Sequence, residues 1–384
     1  METGQIQEQV QEEKEQFHPQ LLHGGDIYGA AKEAGCGERE ILDFSANINP
    51  LGLQPQVRKA ILEGMERVEQ YPDPLCRRLV QAIAKQEQVC PEQVLCGSGG
   101  ADLIYRYVYA RRPGKALLPA PTFGEYEEAL CQVGAELVYY EQNREAQKGA
   151  GMLEALGPDM DVVFFCNPNN PTGLLRDREW ILQLVEKAAV QGTMVFLDEC
   201  FLDFSEAEEQ TTLKGDLEKF PNLILLKSFT KMYAIPGLRL GYVLSDNREL
   251  LEEMRRAGQP WAVGGLAQEA GLAALKDREF PVQTRQLVGR ERAFLKGQLE
   301  KMGLQVYDGA ANYLCFRAPG ESRLYEKLLE QGILIRRCAN YRGLDGEHYR
   351  VAVRRREENR RLLKALAQVR IGPLGEGIPE EAGQ

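Results

Sequence analysis

The sequence is poor in histidine and in paired cysteines. It contains three histidines, and its nine cysteines are scattered, with no two at the CxxC spacing. Several cysteines lie in apolar strings, for example Cys166 and Cys315. A metal site or a disulfide framework is therefore not expected, and no metal ligands are predicted. Reduced core thiols in a cytoplasmic protein fit the pattern better.

The sequence also lacks an excess of positive charge and any long apolar run. The formal net charge is −10 at pH 7, which argues against nucleic acid as a partner because phosphate binding needs a basic face. No apolar run approaches the roughly 20 residues of a membrane span, and the N-terminal residues lack the basic-then-apolar order of a signal peptide. We therefore expect a cytoplasmic protein with no nucleic-acid and no membrane partner.

What the chain does contain is an alternation of short apolar strings with amphipathic helical stretches. Short strings that are apolar on both faces are typical of a parallel sheet covered by helices. The strings occupy residues 94–97, 115–120, 136–141, 161–167, 193–199 and 222–228. The predicted fold class is α/β, with a large domain on a mostly parallel sheet and a smaller α+β domain.

The pattern changes after the sheet region. A long helical stretch is predicted from about Gly265 to Met302, followed by short strands and helices in alternation. The predicted parts are a polar N-terminal arm over 1–16, a segment over 17–66 that contributes to the small domain and the substrate pocket, the large domain over 67–265, and a linking helix with the C-terminal small domain over 266–384.

Polar and glycine-rich motifs follow several of the strings, at the strand ends where parallel sheets carry their functional sites. The turn Gly97–Asp102 opens a helix, so its N–H groups can hold an anion; the alternative is a tight turn without a ligand. Two X-Pro steps in Asn167–Gly173 hold its asparagines rigid. Asp198 closes an apolar string and is expected to need a cationic partner, with a helix N-cap as the alternative.

The segment Ser228–Gly241 carries the most informative chemistry. Lys231 lies just past an apolar string, where burial and nearby positive charge free a lysine amine to form a Schiff base. Arg239 follows beyond a Pro-Gly turn and is suited to holding a phosphate.

The order of these motifs resembles that of the fold-type I pyridoxal 5′-phosphate enzymes, the aspartate aminotransferase superfamily, over about residues 23–369. The resemblance implies that Lys231 forms the Schiff base with the cofactor, that Asp198 pairs with its pyridine nitrogen, and that Asn170 binds its ring 3′-oxygen. The other implied cofactor contacts are Gly100, Ala101, Ser228 and Arg239 on the phosphate and Phe123 on the ring. Tyr71 matches a tyrosine that reaches the phosphate from the neighbouring subunit, which implies a homodimer with a shared active site.

Two branches of the superfamily fit best, the L-threonine-O-3-phosphate decarboxylases and the histidinol-phosphate aminotransferases. The segments 23–25, 43–52, 341–345 and 349–354 are more similar to the decarboxylases, and Phe201 stands where the aminotransferases usually carry tyrosine. The resemblance implies decarboxylation of L-threonine O-3-phosphate to (R)-1-amino-2-propanol O-2-phosphate and CO₂, in the aminopropanol arm of cobalamin biosynthesis. Transamination of histidinol phosphate is the alternative.

The substrate is expected to be a small phosphorylated amino acid. Arg350 lies in the apolar frame YRVAV, where a guanidinium needs an anionic partner. By resemblance, Arg350 and Arg336 bind the substrate carboxylate or phosphate. The residues implied to complete the pocket are His23, Gly24, Asn47 and Asn170. For His23 the alternative is a structural histidine that caps a helix.

A binding or regulatory protein that has lost catalysis is the competing functional class. Such a protein would be expected to lack Lys231 or Asp198, and the sequence has both. Dinucleotide binding by the Gly97–Asp102 turn is a weaker interpretation, because its spacing is not GxGxxG.

Overall fold

The computed structural model describes residues 23–141 and 150–371; the predicted arm over 1–16 lies outside them. Seven strands form the main sheet, in the order β2-β8-β7-β6-β5-β3-β4. Their bounds are β2 Val94–Gly97, β3 Lys115–Ala120, β4 Glu136–Glu141, β5 Val162–Cys166, β6 Met194–Asp198, β7 Leu223–Ser228 and β8 Gly241–Leu244. All except β8 coincide with the apolar strings, so the prediction of a mostly parallel α/β sheet is confirmed.

Strand β8 is not among the predicted strings. It pairs antiparallel with both β2 and β7, whereas the strands from β3 to β7 pair parallel with one another. Because β8 is antiparallel to both β2 and β7, those two strands are parallel to each other. The carboxyl ends of β2, β5, β6 and β7 therefore lie at the same edge of the sheet. A four-residue strand that directly follows a turn is too short to be recognised by its pattern alone.

The central strands are buried on both faces, which explains why their sequences do not alternate. All residues of β5 and β7 are buried, whereas the edge strand β4 is only partly covered. Phe164 and Phe196 lie side by side in this core, with ring centroids 4.9 Å apart. Burial of such a side chain contributes about 1.5–3 kcal/mol, so the polar motifs at the strand ends rest on a rigid support.

Helices connect the strands, and several begin and end at residues with clear capping roles. The Asp177 side chain accepts a hydrogen bond from the Trp180 N–H at the start of α7, which ends at Gly192 in the left-handed region (φ 75°). The helices are α1 Ile27–Ala34, α2 Pro55–Gly64, α3 Arg77–Glu87, α4 Gly100–Arg111, α5 Gly124–Cys131, α6 Ala150–Ala155, α7 Arg178–Gln191, α8 Glu208–Thr211, α9 Phe229–Met232, α10 Arg248–Ala257, α11 Gly265–Ala274, α12 Glu279–Lys301, α13 Leu324–Leu329 and α14 Arg356–Ile371.

The prediction of one long helix from Gly265 to Met302 is wrong, because the chain forms α11 and α12 with a break between them. At the break, Asp277 Oδ1 accepts hydrogen bonds from the N–H groups of Glu279 and Phe280, each at 3.1 Å. The aspartate thus caps the start of α12. Apolar spacing continues across the break, which is why periodicity alone missed it.

Two smaller sheets lie outside the main one. An antiparallel sheet has the order β12-β13-β10-β9, and β1 pairs parallel with β11. The strands are β1 Leu42–Asp43, β9 Gln305–Val306, β10 Tyr313–Arg317, β11 Ile333–Leu334, β12 Arg336–Arg337 and β13 His348–Ala352. The β1–β11 pair joins the N-terminal segment to the C-terminal part, as expected of a small domain built from both; the boundaries at 66 and 265 stay a prediction.

Two further observations concern the class of protein. No helix of the described residues is both long and apolar enough to cross a bilayer. All nine cysteines lie within the described ranges, none forms a disulfide, and most are buried.

Candidate active site

The polar motifs meet at the carboxyl edge of the main sheet. Strand β5 is followed by the segment Asn167–Gly173, β6 ends at Asp198, and β7 leads into α9, which carries Lys231. The C-terminal part also reaches this edge, because Arg350 on β13 donates a hydrogen bond to the Asn170 side chain. Parallel strands that end together thus unite residues that are far apart in the chain.

Asp198 is buried and held by two neutral donors. Its Oδ2 accepts a hydrogen bond from the Tyr126 hydroxyl at 2.6 Å, and its Oδ1 accepts one from the Cys200 N–H at 2.8 Å. Its side chain has no cationic partner among the described residues, so the expected cation remains to be supplied by a ligand. A protonated pyridine nitrogen is a cation of this kind.

Lys227 lies near the end of β7, and Lys231 lies just after it on α9. The two lysines differ in the charges that surround their amines. Burial alone would lower the pKa of Lys227, but the carboxylates of Asp203, Glu87 and Glu208 outweigh it and raise that pKa well above its ordinary value. Burial lowers the pKa of Lys231, and the guanidinium groups of Arg239 and Arg350 lower it further, against an opposing effect of Asp198. Of the two, Lys231 is therefore the amine poised for nucleophilic attack.

The lowered pKa of Lys231 predicts how the cofactor-free protein reacts with pyridoxal 5′-phosphate. The rate of cofactor attachment should rise with pH to a midpoint below that of an ordinary lysine, because only the neutral amine attacks an aldehyde. In Arg350→Ala the midpoint should move upward, since one positive charge that disfavours the ammonium form is gone. Stopped-flow absorbance across a pH series measures both midpoints; an unchanged midpoint in the variant would contradict this electrostatic account.

A cradle for a phosphate lies where β2 turns into α4. Gly99 adopts a left-handed φ of 88°, and a Cβ built on it would lie 2.6 Å from Arg239 Nη2. Only glycine therefore allows the Arg239 guanidinium to approach the N-terminus of α4, where the N–H groups of Gly100 and Ala101 begin the helix. Ser228 Oγ, the remaining predicted phosphate ligand, lies 2.8 Å from Thr230 Oγ1. This donor set fits a phosphate monoester.

Arg350 is buried, with 5% of its surface exposed, yet no carboxylate of the described residues pairs with it. It donates one hydrogen bond to Asn170 Oδ1 and another, of 3.0 Å, to the Ser45 carbonyl oxygen. Its hydrogen-bond partners in the described part of the chain are thus neutral oxygens, and its Nε is buried without one. Tyr313 lies beneath the guanidinium, with the ring centroid 5.2 Å from Cζ. A buried guanidinium in such surroundings is suited to an anionic ligand.

Arg336 stands beside Arg350, because the two residues are opposite each other in the β12–β13 ladder. It is buried and donates a hydrogen bond of 2.8 Å to Asn340 Oδ1. The Tyr341 ring lies 5.4 Å from its guanidinium, and the Tyr341 hydroxyl is 3.4 Å from Asn170 Oδ1. The two predicted substrate arginines are therefore brought together, as the sequence pattern implied.

His23 and Gly24 lie at the wall of a cavity of about 910 Å³ that Arg336 and Ser45 also line. His23 Nε2 is 2.6 Å from Glu125 Oε1, and its ring centroid is 5.7 Å from that of Phe123. A Cβ on Gly24 would lie 2.2 Å from the Ser45 carbonyl oxygen, so the close approach of these two backbones requires glycine. The helix-capping alternative for His23 is wrong, because Asp26 caps α1.

The structure places the other predicted residues as follows. Phe123 precedes α5 and meets the Tyr126 ring edge-on, at 5.5 Å between centroids. Asn47 is buried, and its Oδ1 has no hydrogen-bond partner among the described residues. Tyr71 is 81% exposed and packs on Trp261, with ring centroids 4.7 Å apart. It lies on the surface of this chain, as a residue destined for a neighbouring subunit would.

The sequence patterns did not single out Tyr126, Tyr313 or the carbonyl oxygen of Ser45. Tyr313 packs edge-on against Phe201 and donates a hydrogen bond of 2.9 Å to the Asn169 carbonyl oxygen. Tyr313 occurs in an apolar string, whereas Tyr126 is flanked by glutamates, and neither setting indicates a functional role. Their hydroxyl partners are distant in sequence, so no local signal could have revealed these roles.

Comparison with protein families decides the classification. The model of aminotransferase class I and II matches residues 39–366. The chain belongs to this family. This match confirms the predicted membership in the superfamily. It also confirms the fold-type I architecture and the pyridoxal-phosphate-dependent chemistry as properties of the family.

Within the family, the chain is similar to proteins of both predicted branches. It is 41% identical to the threonine-phosphate decarboxylase of Salmonella typhimurium over 355 residues, which cover 91% of this chain and 97% of that protein. It is 32% identical to histidinol-phosphate aminotransferase 1 of Dechloromonas aromatica, over 89% of this chain and 94% of that protein. The adenosylcobalamin biosynthesis bifunctional protein of Leptospira interrogans is 29% identical over 91% of this chain, which spans 41% of that protein.

Solved structures of the family share the fold. The L-threonine-O-3-phosphate decarboxylase from Porphyromonas gingivalis superposes with a TM-score of 0.76 at 28% identity, covering 85% of this chain and 98% of that one. The histidinol-phosphate aminotransferase from Sinorhizobium meliloti, in complex with pyridoxal 5′-phosphate, superposes with a TM-score of 0.80 at 22% identity, covering 92% and 97%. The second likeness concerns the fold alone.

Proposed function

We propose that the chain decarboxylates L-threonine O-3-phosphate to (R)-1-amino-2-propanol O-2-phosphate and CO₂, with pyridoxal 5′-phosphate as cofactor, in cobalamin biosynthesis. The observation that carries the substrate class is the buried Arg336–Arg350 pair, since Arg350 has neutral hydrogen-bond partners and so awaits an anion. The choice of decarboxylation is supported by the 41% identity to a threonine-phosphate decarboxylase. A cytoplasmic location belongs to the proposal, because the free cysteines suit a reducing compartment.

The residues at the sheet edge fit the proposed cofactor. Arg239 and the N-terminus of α4 would bind its phosphate, and Phe123 would pack on its ring. Asn170 would hydrogen-bond to its 3′-oxygen, and Lys231 would attach to its aldehyde carbon. Asp198 would face the ring nitrogen and receive the cation that it lacks among the described residues. When bound, the cofactor withdraws electrons from the bond that breaks at the substrate α-carbon.

Arg336 and Arg350 would decide which bond at the α-carbon is aligned for cleavage. If they hold the substrate so that its carboxylate projects out of the plane of the cofactor ring, CO₂ leaves, and Lys231 delivers a proton to the α-carbon. If they hold the carboxylate in that plane, Lys231 instead removes the α-proton, as transamination requires. The lowered pKa of Lys231 suits both duties, because general acid–base groups work best when their pKa is near the working pH.

A reaction test of the purified, cofactor-loaded protein distinguishes these outcomes. With L-threonine O-3-phosphate and no keto acid, we expect catalytic release of equal amounts of CO₂ and 1-amino-2-propanol phosphate. Unphosphorylated L-threonine is the matched control and should react far more slowly. Consumption of histidinol phosphate that depends on 2-oxoglutarate, without CO₂ release from threonine phosphate, would overturn the proposal in favour of the aminotransferase.

A homodimer with a shared active site is part of the proposal. It is supported by exposed apolar side chains that share one stretch of the chain with Tyr71, namely Leu62, Met65, Val68 and Leu75. We expect Tyr71→Ala and Lys231→Ala to be inactive singly, and an equal mixture to recover about a quarter of the activity, because the mixed dimer has one intact site. No recovery after confirmed subunit exchange, or a fully active monomer in sedimentation, would contradict the shared site.

A further inference from the structure

Tyr126 lies directly behind the acid that the proposed function places against the cofactor nitrogen. Its side chain is fully buried, and its hydroxyl is 2.6 Å from Asp198 Oδ2. The ring stacks on Phe164 with centroids 5.0 Å apart, and it meets Phe123 edge-on. The hydroxyl is therefore fixed by packing on two sides before any ligand binds.

The hydrogen bonds of Asp198 define the orientation of its carboxylate. Oδ1 is held by the Cys200 N–H at 2.8 Å, within the same turn of chain. Oδ2 is held by the Tyr126 hydroxyl, which reaches it from another element, whereas the Cys200 thiol, which also hydrogen-bonds to Asp198, belongs to the same turn as the acid. Removal of that one hydroxyl thus removes the hydrogen bond that reaches Oδ2 from outside the Asp198 turn.

The direction of this hydrogen bond is fixed by electrostatics. Burial raises the pKa of Tyr126 well above its ordinary value, and the charge of Asp198 raises it further. The phenol therefore stays protonated and donates, while the carboxylate accepts. A hydrogen bond donated to a carboxylate stabilises its charged form, and in a buried site such a bond is stronger than in water.

We propose that Tyr126 is a positioning residue, which keeps the Asp198 carboxylate hydrogen-bonded and directed at the cofactor ring nitrogen and so sets how strongly the cofactor withdraws electrons. The inference rests on the proposed function, since it assigns Asp198 to that nitrogen. It extends the site to the start of α5, where the N-cap residue Phe123 supplies the ring contact and Tyr126 in the first turn supports the acid.

The variant Tyr126→Phe tests this role, because it removes a single oxygen atom and keeps the ring. Without the donor, the proton shared between Asp198 and the ring nitrogen shifts toward Asp198. We expect the cofactor dissociation constant to rise about 10-fold, in line with a lost hydrogen bond to a charged group, and kcat to fall by a similar factor with KM unchanged. The pH midpoint of the visible absorbance of the bound cofactor should move upward.

Tyr107→Phe is the matched control. Tyr107 belongs to the same aromatic cluster, with centroids 5.8 Å from Phe164 and 5.3 Å from Phe196, but it does not contact Asp198. It should leave the absorbance midpoint and the cofactor affinity unchanged. Equal shifts in both variants would mean that the cluster only supports the fold, and would overturn the inference.

A double-mutant cycle separates action through Asp198 from general destabilisation. In the Asp198→Asn background, Tyr126→Phe should not weaken cofactor binding further, because the charge that it supports is absent. Additive losses of affinity would overturn the inference. These binding and absorbance measurements need no substrate. A negative decarboxylation test would therefore not affect the conclusion about Tyr126, and a negative result for Tyr126 would not affect the proposed reaction.

Discussion

Replacement of Lys231 by alanine is expected to reduce turnover of threonine phosphate by at least ~10³-fold, since proton transfer by a positioned group alone contributes about 10²–10⁴-fold. The side chain combines two functions in the proposed reaction, covalent attachment of the cofactor and delivery of a proton to the substrate. Its lowered pKa, which arises from burial and from Arg239 and Arg350, keeps a neutral amine available for the first function. The visible absorbance of the attached cofactor should disappear together with the activity.

The measurement combines absorbance spectra of the reconstituted protein with CO₂ release. Lys219→Ala is a suitable control, because this lysine is exposed and its buried partner Asp216 also pairs with Arg178. The control should retain both the visible absorbance and full turnover. Turnover of Lys231→Ala within about 10-fold of the unsubstituted protein would remove Lys231 from the mechanism, since a catalytic amine cannot be lost at so small a cost.

The sheet was predictable because burial on both faces leaves a direct trace in the sequence. Strings such as residues 161–167 and 222–228 match β5 and β7, and the polar residues after them fall at one edge by the geometry of parallel strands. Lys231 and Asp198 could therefore be placed near each other before any coordinates were known. Strand β8 escaped notice because its partner β2 is distant in sequence, and its own four residues directly follow a turn.

The contacts that tune the site were not predictable, because they join residues without a shared local pattern. Tyr126 and Asp198 lie on different elements, and the hydroxyl contact exists only after β3, β5 and β6 align. The same holds for Arg350, whose apolar frame revealed burial but not its contact with Asn170. The break before α12 was missed for a related reason, since the cap role of Asp277 is visible only from the backbone that it contacts.

Lys227 and Lys231 are close in sequence, and the structure gives them different charge environments. Lys227 lies within β7 and Lys231 lies just after it, and either amine could in principle attack an aldehyde. Lys227 Nζ lies 3.0 Å from Asp203 Oδ1 and 3.6 Å from Glu208 Oε1. These carboxylates keep it protonated, whereas Lys231 is surrounded by cations as well as by Asp198. The charge environment therefore favours Lys231 over Lys227 as the proposed nucleophile.

Arg350→Ala is expected to raise KM for threonine phosphate by at least ~30-fold, because truncating one partner of a buried, hydrogen-bonded charge pair costs about 2–5 kcal/mol. The cofactor should remain bound, since the cradle at Arg239 and the contacts of Asp198 lie on other elements. Arg350→Lys should recover only part of the affinity, because an ammonium does not reproduce the planar donors of a guanidinium.

Arg337→Ala is the matched control for this prediction, since Arg337 is the next residue on β12 after Arg336 but is half-exposed and pairs with Glu326 at 2.9 Å. The KM of this variant for threonine phosphate should stay within about 2-fold of that of the unsubstituted protein, as expected for an exposed ion pair.

Inhibition by unphosphorylated L-threonine, measured in Arg350→Ala and in the unsubstituted protein, then identifies the substrate group that Arg350 binds. If Arg350→Ala weakens L-threonine and threonine phosphate equally, the guanidinium binds the carboxylate; if it weakens the phosphorylated compound alone, it binds the phosphate. An unchanged KM for threonine phosphate would exclude Arg350 from the substrate site, and the Arg336–Arg350 pair would then have no role in choosing the bond that breaks.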